Sequence, residues 1–187
     1  MRHDLTGTRL WAMLIPVALA MPATLLAKEA AHVHGLVRLD VAVDGKTLTL
    51  QLEAPLDSVL GFEHRPRTTA QRQAGDALLR RMEDAASLFR PEAAAMCTPT
   101  RTRVDSQALQ SKALQSRNAA ADKEDEHADI EVSIEFSCLQ PNQLTSVEVG
   151  LFDAFKRIQR IEVQVAGAKG QSKQTLNRPQ KLLKLRR

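Results

Sequence analysis

Tyrosine is absent from the 187-residue sequence, tryptophan occurs once, and aromatic residues reach only 3%. A base-stacking nucleic-acid module or a tyrosine-rich recognition surface therefore has too little to work with, and no nucleic-acid partner is expected. Cysteine is equally scarce, and two residues exclude a four-cysteine zinc ribbon. Charge of one sign is not in large excess, with 26 Lys+Arg against 22 Asp+Glu. No H-E-x-x-H, G-x-S-x-G or P-loop pattern occurs, which removes the signatures of zinc proteases, serine hydrolases and P-loop nucleotide enzymes. A non-enzymatic protein is expected. With 43% hydrophobic residues, the chain fits one globular domain plus tails and is not a disordered polypeptide.

The single long apolar run is at the start. Arg2 and Arg9 precede Leu10 to Ala27, which ends in small residues and is followed by Lys28 and Glu29. A charged start, an apolar stretch and a small residue at the end make residues 1–27 a secretory signal peptide, cleaved after Ala27. Pro16 and Pro22 interrupt the run, which sets it apart from a membrane anchor of similar length. No second run follows, so no transmembrane segment is expected after cleavage. Export to an oxidising compartment favours pairing Cys97 with Cys138 over leaving two free thiols. Such a disulfide closes a loop of roughly 42 residues, worth about 4 kcal/mol by loop entropy. A thiolate metal site or redox pair normally shows the close C-x-x-C spacing that is missing here.

Periodicity predicts strands around one helix. Val37, Leu39, Val41 and Val43 alternate with polar residues, and after Asp44-Gly45 so do Leu48, Leu50 and Leu52, which reads as a β-hairpin with one buried face. Thr68 and Gln71 form a capping box that opens a helix to about Arg90, with Leu78, Met82, Ala85, Ala86 and Phe89 as its apolar stripe and Gly75 as a weak point. Residues 105–126 hold a near-repeat (ALQS, KALQS) and an acidic cluster, and read as a polar surface insert. Alternation resumes at Ile130, Val132, Ile134 and Phe136, then at Val147, Val149 and Leu151, then at Ile161, Val163 and Val165. The fold class is α+β: a single domain over 28–168 with a mostly antiparallel sheet, one main helix on one face and the other face exposed. Residues 169–187 read as a basic C-terminal tail.

Histidine carries the chemistry. On a strand, His32 and His34 project to one side roughly 6–7 Å apart, where two rings can converge on one metal ion. Hairpin parity carried backwards places both on the Arg38/Asp40 side, away from the core. The same parity turns His127 and Asp129 outward, beside the acidic run from Asp122 to Glu126, and Glu63-His64 adjoin Gly61 in the loop after the second strand. Neutral imidazole suits zinc, copper or nickel, and a carboxylate completes a zinc site. From Lys156 to Arg187 there are ten Lys and Arg against one acid, Glu162; this end repels a cation and is not where the metal is expected. It supports a second reading, an envelope interaction module whose sheet face and basic tail bind an acidic partner or a membrane surface.

The order A-H-V-H-G-L at 31–36, A-P at 54–55, G-F-E-H at 61–64, Cys97, an acidic insert, H-A-D-I at 127–130, F-S-C at 136–138 and L-F-D-A-F at 151–155 resembles the ZrgA-like periplasmic zinc-uptake proteins of Gram-negative bacteria. The resemblance implies a non-catalytic protein that binds zinc in the periplasm, assists its uptake, and works with a zinc-transport component of the envelope. It assigns His32, His34, Glu63, His64, His127 and Asp129 to the family's H-x-H-G, G-F-E-H and H-x-D elements. Family members commonly carry a long His-, Asp- and Glu-rich insert before H-x-D. Here the insert has no histidine before His127, so a single ordered site, and not multi-ion collection by the loop, is the reading for this chain.

Overall fold

A computed structural model describes residues 33–110 and 128–185, all within one compact unit that spans 31–187. The expected signal peptide, His32, His127 and most of the polar insert lie outside the described residues. The predicted hairpin is β1 (Leu36–Asp44) and β2 (Thr47–Pro55), paired antiparallel from Arg38↔Glu53 to Asp44↔Thr47. Gly45 takes φ +55° as the first of two loop residues, the position where a tight II′ turn needs glycine. Val37, Leu39, Val41, Leu48, Leu50 and Leu52 are all buried, as their alternation requires.

One short helix lies between the hairpin and the predicted helix, where no regular structure is predicted. Helix α1 (Leu56–Leu60) follows Pro55 directly and ends at Gly61, whose φ of +87° suits a left-handed helix cap. The capping box of Thr68 and Gln71 forms as predicted and opens α2 (Thr69–Glu83). The helix stops at Asp84 and not near Arg90: a four-residue α3 (Ala85–Leu88) follows, and Phe89 begins strand β3 (Phe89–Pro91). Phe89 is fully buried as a strand residue, so tertiary burial overrides the helical spacing of its sequence. A Cβ at Gly75 would sit 3.0 Å from Leu109 Cδ2, so the glycine that is unfavourable for the helix admits the incoming chain.

Strand β4 (Cys97–Asp105) pairs with β5 (Asp129–Cys138), and Cys97 stands opposite Cys138 in that ladder. The two are joined in a disulfide, as expected. After β6 (Ser146–Val149) and α4 (Leu151–Ala154), strand β7 (Arg160–Gly167) lies parallel to β1, from Leu36↔Arg160 to Ala42↔Ala166. The segment expected to be a solvated basic tail is folded instead. It forms β8 (Gly170–Asn177), paired with β7, and β9 (Leu182–Lys184), paired with β6, with Leu176, Leu183 and Leu185 buried.

The chain is mostly β. A mixed six-stranded sheet runs β4-β5-β2-β1-β7-β8, and a second, antiparallel sheet runs β3-β6-β9. The inner side chains of both sheets join Leu78 and Met82 of α2 in one hydrophobic cluster. The prediction of a single sheet covered by one helix is therefore corrected: α2 shares the covering layer with the small sheet. Antiparallel pairs do dominate the large sheet, β1 and β7 being its one parallel pair. Its outer face is polar, as alternation predicts. Among the described residues no helix is long and apolar enough to cross a membrane.

Candidate metal centre

The site gathers at one end of the large sheet, where β1 begins and β2 ends. Gly35, at φ +76°, turns the chain into β1, and its N–H donates to the buried Ser58 hydroxyl at 3.0 Å. That bond pins His34 against α1. The Leu56 N–H donates to the Ala128 carbonyl at 2.8 Å, so the entry to β5 lies alongside the same helix. Helix α1 thus meets both the turn that follows His34 and the start of β5.

Three donor side chains converge there. His34 Nδ1 lies 2.7 Å from Asp57 Oδ2 and 3.6 Å from Glu63 Oε1, and one donor atom from each residue falls within 4.8 Å of the others. The burial is graded: the His34 side chain is 71% exposed, Glu63 33% and Asp57 9%. Zinc bound tetrahedrally at about 2.0–2.1 Å sets its ligands about 3.3 Å apart, so the two contacts of His34, at 2.7 and 3.6 Å, bracket the spacing such an ion needs once the proton between His34 and Asp57 leaves. This is the one group of three or more candidate metal donors among the described residues.

The electrostatics follow from the pairing. The hydrogen bond to Asp57 and the charges of Asp57 and Glu63 raise the His34 pKa above the usual imidazole value, and Arg157 opposes them weakly. Burial alone would push the Asp57 carboxyl up, but hydrogen bonds from Arg157 and His34 together outweigh it and hold the group below its ordinary range. Arg157 Nη2 donates to Asp57 Oδ1 and its Nε to the Asp57 carbonyl, both at 2.7 Å. Arg157 belongs to the basic C-terminal stretch where the metal is not expected, and it touches the donor group directly through Asp57.

The other predicted residues are placed differently. Glu63 joins the group, but its neighbour His64 stacks on Phe62 at 5.2 Å, with Nδ1 2.9 Å from the Arg65 carbonyl. Asp129 opens β5 opposite Pro55, half-buried, and its carbonyl accepts from the Ser106 hydroxyl at 2.7 Å. It stands outside the three-residue group. His32 and His127 lie outside the described residues. Sequence reasoning missed Asp57, an isolated acid in the run L-D-S-V-L. Its one signal is a carboxylate one position after a Pro-Leu pair that must turn inward, which is too common to single out.

Two hollows of about 500 and 620 Å³ lie elsewhere, on the outer face of the large sheet around Asp40 and Gln51. Neither contains the donor group. The chain matches the family described as ZrgA family zinc uptake protein over residues 31–185. It belongs to that family. No match is found among curated proteins. The ZrgA match takes in His32 and His34 at its start and β8 and β9 at its end, so the basic strands are part of the family domain. The convergence of His34, Asp57 and Glu63 gives this ZrgA protein a donor set suited to the metal in the family's description.

Proposed function

We propose that this protein binds zinc in the periplasm as a non-catalytic accessory to its uptake, delivering the ion to a transport component of the envelope. The observation that carries the proposal is the meeting of His34, Asp57 and Glu63 within 4.8 Å beside α1. Export is supported by the signal-like residues 1–27 and by the Cys97–Cys138 disulfide, which an oxidising compartment favours. The ion takes His34 and Glu63 as direct ligands, and Asp57 either ligates or orients the His34 ring, the role carboxylates commonly play behind zinc-bound imidazole. The second reading, an envelope interaction module, rests on basic residues that here belong to strands β8 and β9 and not to a free tail.

Zinc calorimetry on the mature, disulfide-intact protein at pH 7.5 tests the proposal. One zinc at micromolar affinity or tighter is expected, weakened about 10–100-fold or more by His34→Ala. No zinc binding, or binding untouched by His34→Ala and Glu63→Gln, refutes it.

A further inference from the structure

The two oxygens of Asp57 are divided between two partners. Oδ2 faces His34 at 2.7 Å, on the side of the donor group, and Oδ1 accepts from Arg157 at 2.7 Å. Arg157 also holds the backbone carbonyl of Asp57, so its guanidinium grips the residue by both main chain and side chain.

Arg157 is itself held in place by its surroundings. The segment from Phe152 to Ile158 that carries it is clamped by Arg178, whose guanidinium donates to the carbonyls of Phe152, Phe155 and Ile158 at 2.8–2.9 Å. The same guanidinium lies over the Phe152 ring at 5.2 Å. Two glycines border Arg157 from other elements. A Cβ on Gly35 would sit 3.0 Å from the Arg157 carbonyl, and one on Gly61 would sit 3.7 Å from its Cδ and Nε. Both glycines also have positive φ, so each end of the loop pair that presents His34 and Glu63 turns against this arginine. An incidental surface ion pair has no such support.

A fixed cation inside a cation site has a definite consequence. His34, Asp57 and Glu63 offer two carboxylates, and the guanidinium already neutralises one of them. A dication and a guanidinium on the two oxygens of one carboxylate repel each other, at the dielectric of water, by enough to cost about tenfold in affinity. In the metal-free protein the same guanidinium spares Asp57 the cost of a buried, unpaired charge.

We infer that Arg157 is a built-in counter-ion of the zinc site: it stands in for the metal's charge on Asp57 when the site is empty, keeps Oδ2 turned to His34, and lowers zinc affinity so that the ion can be released. This rests on the zinc reading given above. Arg157 is a positioning residue, acting on the metal through Asp57. A protein that passes zinc onward must bind it without retaining it, and a counter-ion that reclaims the carboxylate as the metal leaves meets both needs.

Zinc titration with a competing chelator, combined with thermal unfolding in the presence and absence of zinc, tests this on the mature wild-type protein, Arg157→Gln and Arg157→Lys. Arg157→Gln is expected to bind zinc about tenfold tighter or more, to unfold at a lower temperature without metal, and to recover most of that loss with zinc. Arg157→Lys, which retains the charge, is expected to return the affinity to within about threefold of wild type. If Arg157→Gln is unfolded without metal, zinc must restore its fold; failure to do so overturns the inference. A folded Arg157→Gln that binds zinc no tighter than wild type also overturns it, while the zinc reading stands. If neither the wild-type protein nor any variant binds zinc, both readings fall together.

Discussion

Replacing Asp57 by asparagine separates the structural role of this carboxylate from its role toward the metal. The side chain is 9% exposed and accepts a charge-assisted hydrogen bond from Arg157, while Arg157 also holds the residue's carbonyl. A bond of this kind in a dry interior contributes about 1.5–3 kcal/mol. Arg157 is 56% exposed, so solvent screens the pair and about 1–2 kcal/mol is the reasonable expectation. Asparagine retains the shape and one acceptor, which keeps the loss near the lower figure. For a domain of this size that corresponds to a fall of about 2–4 °C in Tm. The effect on zinc is larger. Without the carboxylate, the His34 ring loses its orienting partner and the site loses a negative charge, so the affinity drops about 10–100-fold. Differential scanning calorimetry and zinc titration of the same preparation measure both. A variant with unchanged Tm and unchanged zinc affinity would show that the close contacts of Asp57 with His34 and Arg157 carry neither stability nor binding.

Zinc binding also depends on pH, because the metal displaces a proton from His34, whose pKa is raised. Affinity is expected to fall as pH drops through a value above the usual imidazole pKa of about 6.5, with proton release visible as a buffer-dependent heat. In the metal-free protein the sign is opposite: the His34–Asp57 pair stabilises fully below about pH 6.5, and that contribution is lost as pH rises through the raised folded-state pKa. Asp57, with its lowered pKa, stabilises above its unfolded value of about 3.9 and loses that contribution as pH falls through the folded-state value; pH-dependent urea unfolding follows both. Gly35→Ala is expected to cost about 2–3 kcal/mol, since it combines left-handed strain with a Cβ only 3.0 Å from a backbone oxygen, whereas Gly61→Ala, with 3.7 Å of room, costs about 1 kcal/mol. Equal urea midpoints for the two would remove the packing argument. Changing Cys97 and Cys138 together to serine lowers stability by up to about 4 kcal/mol, and a loss below 1 kcal/mol would mean that the β4–β5 ladder needs no covalent closure.

Strands with a buried face were legible because alternation is a direct imprint of burial. Every inward position from Val37 to Val41, from Leu48 to Leu52 and from Ile130 to Phe136 is buried. Strands β4 and β8 lie at the edges of the large sheet and expose most of their side chains, so C-T-P-T-R-T-R-V-D and G-Q-S-K-Q-T-L-N carry no alternation to read. Their pairing comes from backbone hydrogen bonds to β5 and β7, which any side-chain sequence can make. The second sheet was hidden for a related reason. Phe89 and Leu183 each need partners far along the chain, and β3 and β9, at three residues each, are too short for a period.

Sequence alone determined the hairpin and its turn, the capped start of α2, the disulfide pairing, and His34 and Glu63 as donor candidates in two separate motifs. Local chemistry specifies each of these: a period of two, a hydroxyl three residues from an amide, two thiols in an exported chain, imidazole beside glycine. Only tertiary structure decided that His34 and Glu63 meet at Asp57 and that Arg157 reaches in from a segment 100 positions beyond it. No local pattern encodes such a meeting, because it depends on β7 lying parallel to β1, on α1 capping the end of β2, and on Arg178 folding a basic segment back over the loop before β7.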